Sequence, residues 1–455
     1  MPTISTYQQA LKAIWSRSGY DRGFISNPFA GDDAARLGLQ RTQALLDHTG
    51  HQHLPYEIIH VAGSKGKGST SSMIDAMLRA ADIRTGRYLS PHLHSFRERF
   101  VMNNTMITED DFVTLTDQFT QAAEAVEHQF PELGGITAFE VNTAMALAWF
   151  AQKHCQVAVI EVGMGGELDS TNIVDPTVSV ITRLDFEHTA VLGSTLAEIA
   201  RNKAGIIKPC RPVVTAEHPS EALDVVMTTA NRHNAPLQVA KRDWQTQGTY
   251  SNFTFTRQGK EIQNLKSSLI GAHQMDNAGL AIAAVMTLGE SRPEFVIREP
   301  AIRHGLAHTF IPARFEQVTL PSGQTVVIDG AHTPASTAAL CKAIQEKYPR
   351  ASVALVIGML ADKEQQSILK PFVPIASSWI AVAPGNPRAL PVNDLRAAID
   401  AVGAEAVIAD SVSEGVALAT QSTAEVILIT GSFSTAAEAR IALNLAEFVD
   451  PAIHS

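Results

Sequence analysis

Short β-branched apolar runs alternate with longer helix-patterned segments along almost all of the 455-residue chain. That alternation predicts parallel βαβ units and therefore an α/β fold. Strands are expected at residues 57–62, 157–162, 178–184, 212–216, 326–328, 353–357, 379–383 and 426–430. Several of these runs are apolar without a break, as strands covered by helices on both faces are. Between Thr249 and Ile270 the period shortens, with polar residues at every second place in Asn252–Arg257, which predicts a small antiparallel appendage. A helix is expected from about Asp276 to Leu288, and a stretch holding three prolines follows before a second βα series begins. The expected division is an N-terminal phosphate-loop domain over residues 1–298 and a smaller Rossmann-like α/β domain over residues 299–455. Length agrees, since domains of roughly 100–200 residues make two the default.

Composition narrows the function classes. With 45% hydrophobic and 18% charged residues the chain reads as an ordinary soluble globular protein. A net charge of −10 and the absence of a basic run argue against nucleic acid as a partner, because phosphate affinity comes from clustered Lys and Arg. No apolar stretch reaches the roughly 18 residues that suggest a membrane span. The polar, helix-patterned N-terminus does not read as a secretion signal. Cys155, Cys210 and Cys341 are odd in number and scattered, so neither a disulfide framework nor a zinc site is indicated; they read as buried thiols of a reducing cytoplasm.

The chemistry begins after the first expected strand, where Gly63-Ser64-Lys65-Gly66-Lys67-Gly68-Ser69-Thr70 leads into a helical segment. Strand, glycine loop, helix is the order a phosphate cradle needs. The glycines let backbone N–H groups turn inward, the helix N-terminus adds its positive end, Lys67 reaches the terminal phosphates, and Ser69 can bind magnesium. Glu161 closes another expected strand and is followed by Gly163, Gly165 and Gly166. A carboxylate at the carboxyl end of a parallel strand suits a hard cation that bridges phosphate oxygens.

Val61 stands where the common phosphate loop has its first glycine, and Gly68 separates Lys67 from Ser69. In this form the loop resembles that of the Mur ligase superfamily, and Gly68 points to its folylpolyglutamate and dihydrofolate synthase branch. The run from Ser90 to Leu93, with Glu98 and Arg99 after it, resembles the same branch, as do Glu161–Gly166, Asp169–Asn172, Ile199–Pro209, Gly271–Ala278, Pro312–Glu316 and Asp329–Pro334. The resemblance implies that Ser90 joins Ser69 and Glu161 around one magnesium ion. It further implies that His188 and Lys203 serve a second, with Lys203 carbamylated, and that Lys67, Glu161, His188 and Lys203 form the catalytic set. Nucleotide contacts are implied for Gly63, Ser64, Gly66, Lys67, Gly68, Ser69, Thr70, Asn277, Arg314, Asp329 and His332. Acceptor contacts are implied for Thr137, Phe139, Glu140, Leu168, Asp169 and Ser170. The family's pattern is departed from at Glu167, Glu187, Asn202, Ala313 and Thr333.

The activity expected is ATP-dependent joining of L-glutamate to a folate carboxylate through an acyl phosphate, with dihydropteroate as an open second acceptor. One alternative is an amide ligase of the superfamily that takes a different carboxylate, encouraged by Thr333 and Glu167. Another is a nucleotide-binding regulator that has lost catalysis, of which replaced metal ligands would be the sign. The resemblance implies small-molecule substrates and a monomer.

Overall fold

The computed structural model describes residues 3–17 and 32–451. The chain forms two compact units. The first runs to Ser268, resumes for His273–Thr309 and takes the chain back at Asp450; the second comprises Leu269–Ala272 and Phe310–Val449.

The first unit is built on eight strands: β1 (Glu57–Ala62), β2 (Thr85–Tyr88), β3 (Phe100–Met102), β4 (Thr105–Met106), β5 (Val157–Glu161), β6 (Val178–Ile181), β7 (Val213–Thr215) and β8 (Leu237–Val239). Their order is β4-β3-β2-β5-β1-β6-β7-β8. From β2 to β8 the neighbours are parallel, and β3 and β4 extend one edge antiparallel. Each residue of β5 and β6 is buried, which explains why these runs lack the alternation of a half-exposed strand. One face of the sheet packs on an aromatic core that includes Phe96, Phe100, Phe112, Phe119 and Phe150. Further along the same face, beside Ala62, Ile181 and Val213, the sheet is covered through Ala200, Ala204, Ala222 and Val226 of the helices Leu196–Ala204 and Ser220–Arg232.

The antiparallel appendage is β9 (Trp244–Thr249), β10 (Asn252–Arg257) and β11 (Lys260–Leu265). Phe253, Phe255 and Trp244 fill its buried face. A Cβ on Gly279 would lie 2.7 Å from Trp244 Cζ3, so the small sheet lies directly on the helix Ala272–Ser291.

The second unit carries β12 (Glu316–Thr319), β13 (Thr325–Ile328), β14 (Val353–Ile357), β15 (Ala376–Ala381), β16 (Ala406–Ile408) and β17 (Val426–Thr430). They are ordered β12-β13-β17-β14-β15-β16, parallel except for the edge pair β12 and β13. The α/β class, the appendage and the second α/β sheet all match the pattern of the sequence.

Several readings differ from it: Cys210 is exposed where a buried thiol is expected, the strand expected at 379–383 is Ala376–Ala381, and the helix expected from about Asp276 to Leu288 is Ala272–Ser291. The units part at Thr309–Phe310 rather than at 298/299, because the helix Glu299–Ala307 lies backbone to backbone on the helix Lys67–Ala80. A Cβ on Gly305 would come within 2.5 Å of the Met77 amide nitrogen, a crossing that only glycine permits. Strand β6 ends at Ile181 instead of running to residue 184. Its continuation is used elsewhere: the Arg183 carbonyl accepts from both the Ser64 and Lys65 amides at 3.0 Å.

Candidate active site

Four adjacent parallel strands, β2, β5, β1 and β6, deliver their carboxyl ends side by side, the place where open α/β sheets gather ligands. From β2 comes Ser90, from β5 Glu161, from β1 the loop Gly63–Thr70, and from β6 the segment that carries Thr182, Glu187 and His188. Register sets the level, since Val61 pairs with Glu161 and Tyr88 with Ile160.

The phosphate loop closes on itself and on its neighbours. Gly63 has φ +149° and a Cβ there would sit 1.8 Å from Thr182 Oγ1; Gly66 has φ +90° and its Cβ would sit 2.4 Å from Asn277 Oδ1. Both positions combine the left-handed backbone with a close approach, so glycine is the residue that fits. Asn277, expected at the nucleotide, therefore lies against the loop, where its Nδ2 donates to Gln274 Oε1 at 3.0 Å. The helix that opens at Lys67 keeps its first N–H groups at the loop, with Ser69 and Thr70 buried beside them.

Two lysines meet at one carbonyl: Lys67 Nζ and Lys203 Nζ each donate to the Gly63 oxygen at 2.9 Å. Lys203 is 1% exposed and pairs with Glu187 Oε1 at 2.6 Å. Burial and the charge of Lys67 push the Lys203 ammonium down to about 8, against the pull of Glu187. Burial would raise the Glu187 carboxyl, but Lys67 and Lys203 hold it below its ordinary value. His188 follows in the left-handed conformation at φ +45°. Desolvation and Lys67, Lys203 and Lys65 lower its pKa, opposed by Glu187.

Across the loop, the Glu161 carboxylate is buried, receives the Ser90 N–H at 3.3 Å, and would lie 3.9 Å through either oxygen from a Cβ on Gly68. Ser69, Ser90 and Glu161 thus offer hard oxygen donors of the kind magnesium prefers. The set around Lys203 does not fit a cation as it stands, because an ammonium at this point repels one. It fits once the nitrogen carries a carboxylate.

Asp169 serves the fold of its own loop. Its carboxylate accepts from the Met164 amide at 2.8 Å, the Thr171 amide at 3.0 Å and the Thr171 hydroxyl at 2.5 Å. Glu140 is likewise engaged, by Arg41 through Nε at 2.9 Å and Nη2 at 2.6 Å, and by the Thr137 amide at 2.8 Å in a capping box. Phe139 and Leu168 are half-buried, and a Cβ on Gly163 would touch the Phe139 ring at 2.4 Å, which places that ring two residues from Glu161.

In the second unit the Asp329 carboxylate, just past β13, accepts from the Phe315 and Ala331 amides at 2.8 Å each. Burial raises its pKa and Arg314 opposes the rise. The Arg314 guanidinium lies 4.7 Å over the Phe433 ring, and the His332 ring is 5.5 Å from the same ring. Arg314, Asp329 and His332 are therefore one cluster organised around Phe433, at the ends of β13 and β17.

The Mur ligase middle domain family matches residues 61–285, and the Mur ligase glutamate ligase domain family matches residues 313–433. The dihydrofolate synthase/folylpolyglutamate synthase of Bacillus subtilis is 34% identical over 366 residues, covering 79% of this chain and 84% of that protein. The enzyme of the same name from Escherichia coli is 30% identical over 403 residues, covering 88% and 90%. The chain belongs to the folylpolyglutamate synthase/dihydrofolate synthase family. It is an ATP-dependent amide ligase. Folylpolyglutamate synthase from Thermotoga maritima superposes with a TM-score of 0.83 at 29% identity over 96% of each chain. The Mycobacterium tuberculosis folylpolyglutamate synthase, solved with ADP and AMPPCP, gives 0.81 at 30% over 90% of this chain and 96% of that one.

Across the two units, three contributors to these candidate clusters escaped the sequence. Thr182 backs the phosphate loop, Arg41 neutralises Glu140, and Phe433 seats Arg314 and His332. Thr182 and Arg41 carry no spacing signal, since each is defined by a partner far along the chain. Phe433 lies just past β17, and its role as a platform is visible only in three dimensions. Among the described residues no three His, Cys, Asp or Glu side chains cluster as a metal group.

Proposed function

We propose that this chain adds L-glutamate in amide linkage to the carboxylate of a folate, driven by ATP, with dihydropteroate as a second acceptor to be tested. The observation that supports it most is the convergence of Lys67, Ser90 and Glu161 on the Gly63–Thr70 loop at four adjacent strand ends. Loop amides and Lys67 hold the phosphates of ATP, and Lys67 steadies the charge on the γ-phosphoryl group as it passes to the acceptor carboxylate. The glutamate amine then attacks the acyl phosphate and displaces phosphate. Ser69, Ser90 and Glu161 would hold magnesium, which would supply charge neutralisation for the phosphate groups.

Lys203 reacts as the free amine with carbon dioxide, losing a proton to give a carbamate, and with His188 it then presents donors for a second magnesium. Its burial favours the neutral amine that this step needs. Asn277, Arg314, Asp329 and His332 contact nucleotide. Phe139 and Leu168, with Thr137, Glu140, Asp169 and Ser170 framing them, face the acceptor, and the protein acts as a cytoplasmic monomer. Thr333 gives no support to another acceptor, because its hydroxyl caps the helix Pro334–Lys347 by accepting the Ser336 amide at 3.3 Å.

The test is incorporation of labelled L-glutamate with ATP and magnesium into tetrahydrofolate and dihydropteroate separately. Labelling of tetrahydrofolate alone identifies a polyglutamylating enzyme and labelling of both a bifunctional one. Labelling of neither overturns the folate reading and leaves a Mur-type ligase of another carboxylate.

A further inference from the structure

The segment Ser90–Arg99 brings Ser90 to Glu161, yet most of it belongs to neither helix nor strand. It is held from within and from without. From within, the Glu98 carboxylate accepts three consecutive amides, those of Leu93, His94 and Ser95, at 2.7, 2.7 and 2.9 Å. Arg99 Nε donates to His92 Nδ1 at 2.9 Å, and burial and Arg99 keep that imidazole neutral.

From without comes Asp450, the point where the chain rejoins the first unit. Its Oδ2 accepts the Phe96 N–H at 2.7 Å, its Oδ1 accepts the Tyr7 hydroxyl at 2.8 Å, and its own N–H donates to the His94 carbonyl at 3.1 Å. The Tyr7 hydroxyl lies 3.4 Å from Ser95 Oγ. One carboxylate therefore closes three segments, 354 positions from Phe96 and 443 from Tyr7. The Phe96 ring below it is set in the aromatic core against Trp15, Phe100 and Phe112.

We propose that Asp450 is a positioning residue that, by clasping residues 94–96, fixes the loop from which Ser90 meets Glu161. This rests on the reading that Ser90 and Glu161 hold magnesium. Nothing in the reaction touches Asp450, so its effect travels through the loop, as that of residues behind a metal ligand does.

The experiment compares the parent full-length protein with Asp450→Ala, Asp450→Asn and Tyr7→Phe. The first readout needs no substrate: amide hydrogen exchange in the unliganded protein. Asp450→Ala is expected to speed exchange at residues 93–96 about tenfold while the phosphate loop stays unchanged. The second is the magnesium concentration for half-maximal turnover, expected to rise about tenfold with the KM for ATP held within about twofold. Asp450→Asn, which keeps an acceptor oxygen, and Tyr7→Phe, which removes one bond, should fall between. Unchanged exchange overturns the clasp. Faster exchange with unchanged magnesium dependence overturns the positioning role and leaves a structural contact alone. If Asp450→Ala does not fold, the two milder variants decide by the same criteria. A parent protein inactive toward folates refutes the functional reading, while the exchange data still judge the clasp.

Discussion

At the scale of single residues the site is a set of contradictions resolved by contact. Two ammonium groups share the Gly63 carbonyl, and Glu187 makes that arrangement tolerable for Lys203. Lys67 lies half-buried at the loop, so Lys67→Ala should lower turnover by about 10²–10³-fold with little change in thermal unfolding, the range seen when one transition-state donor is lost. Gly66→Ala should do more: the left-handed backbone costs roughly 1–2 kcal/mol and the new methyl displaces Asn277. Urea denaturation should report the first effect, and titration with a non-hydrolysable ATP analogue should show the second as an affinity loss of about tenfold or more. Lys203 adds a chemical prediction. Exhaustive removal of carbon dioxide and bicarbonate should lower activity, and their return should restore it, whereas the Lys203→Arg variant should be indifferent to both.

At the scale of elements, turns and strand ends carry the strain and the signal. Ala313, one of the departures from the family's pattern, adopts φ +56°, with Phe315 at φ +47° two residues on. Ala313→Gly should therefore stabilise the protein by about 0.5–1 kcal/mol, less the entropy that glycine brings to the unfolded chain, and the shift is readable in urea midpoints. Strand β1 holds a buried pH sensitivity. Thr171 Oγ1 donates to Asp169, so the His60 Nε2–H must donate to Thr171 at 2.9 Å, which leaves Nδ1 buried and unprotonated. Burial and Lys208 push His60 down to about 3. An unfolded chain takes up that proton near the ordinary value of about 6.5, so the folded state is favoured above that pH and loses the contribution as pH falls from there toward 3. The urea midpoint should fall across this window, and a proton NMR titration should find the His60 ring neutral at pH 5.

At the scale of the whole molecule, alternation of apolar runs sufficed for the class of both units and for the appendage, because strand burial is written in composition. Glycines that need left-handed backbone and a lysine at a strand exit are also local, so the phosphate loop was legible. What was not legible depends on distance: Thr182 behind Gly63, Arg41 beside Glu140, and the close crossing at Gly305 that draws residues 299–309 into the first unit. That crossing is testable. Fragments ending at 298 and at 309 differ by a helix whose Ile302 and Leu306 are buried, each side chain worth about 1.5–3 kcal/mol. The longer fragment should unfold at a distinctly higher urea concentration.

The Asp450 contact also sets an order of events when the chain is made. Phe96 leaves the ribosome 354 residues before its partner does, an interval of roughly 20–70 s at 5–20 residues per second. In the last part of that interval, once residues up to 309 have emerged, the phosphate loop and Glu161 can be folded while the Ser90 loop still lacks its clasp. On the proposed reading such a chain would hold the phosphate loop without a finished magnesium site, and competence for turnover would arrive late in translation.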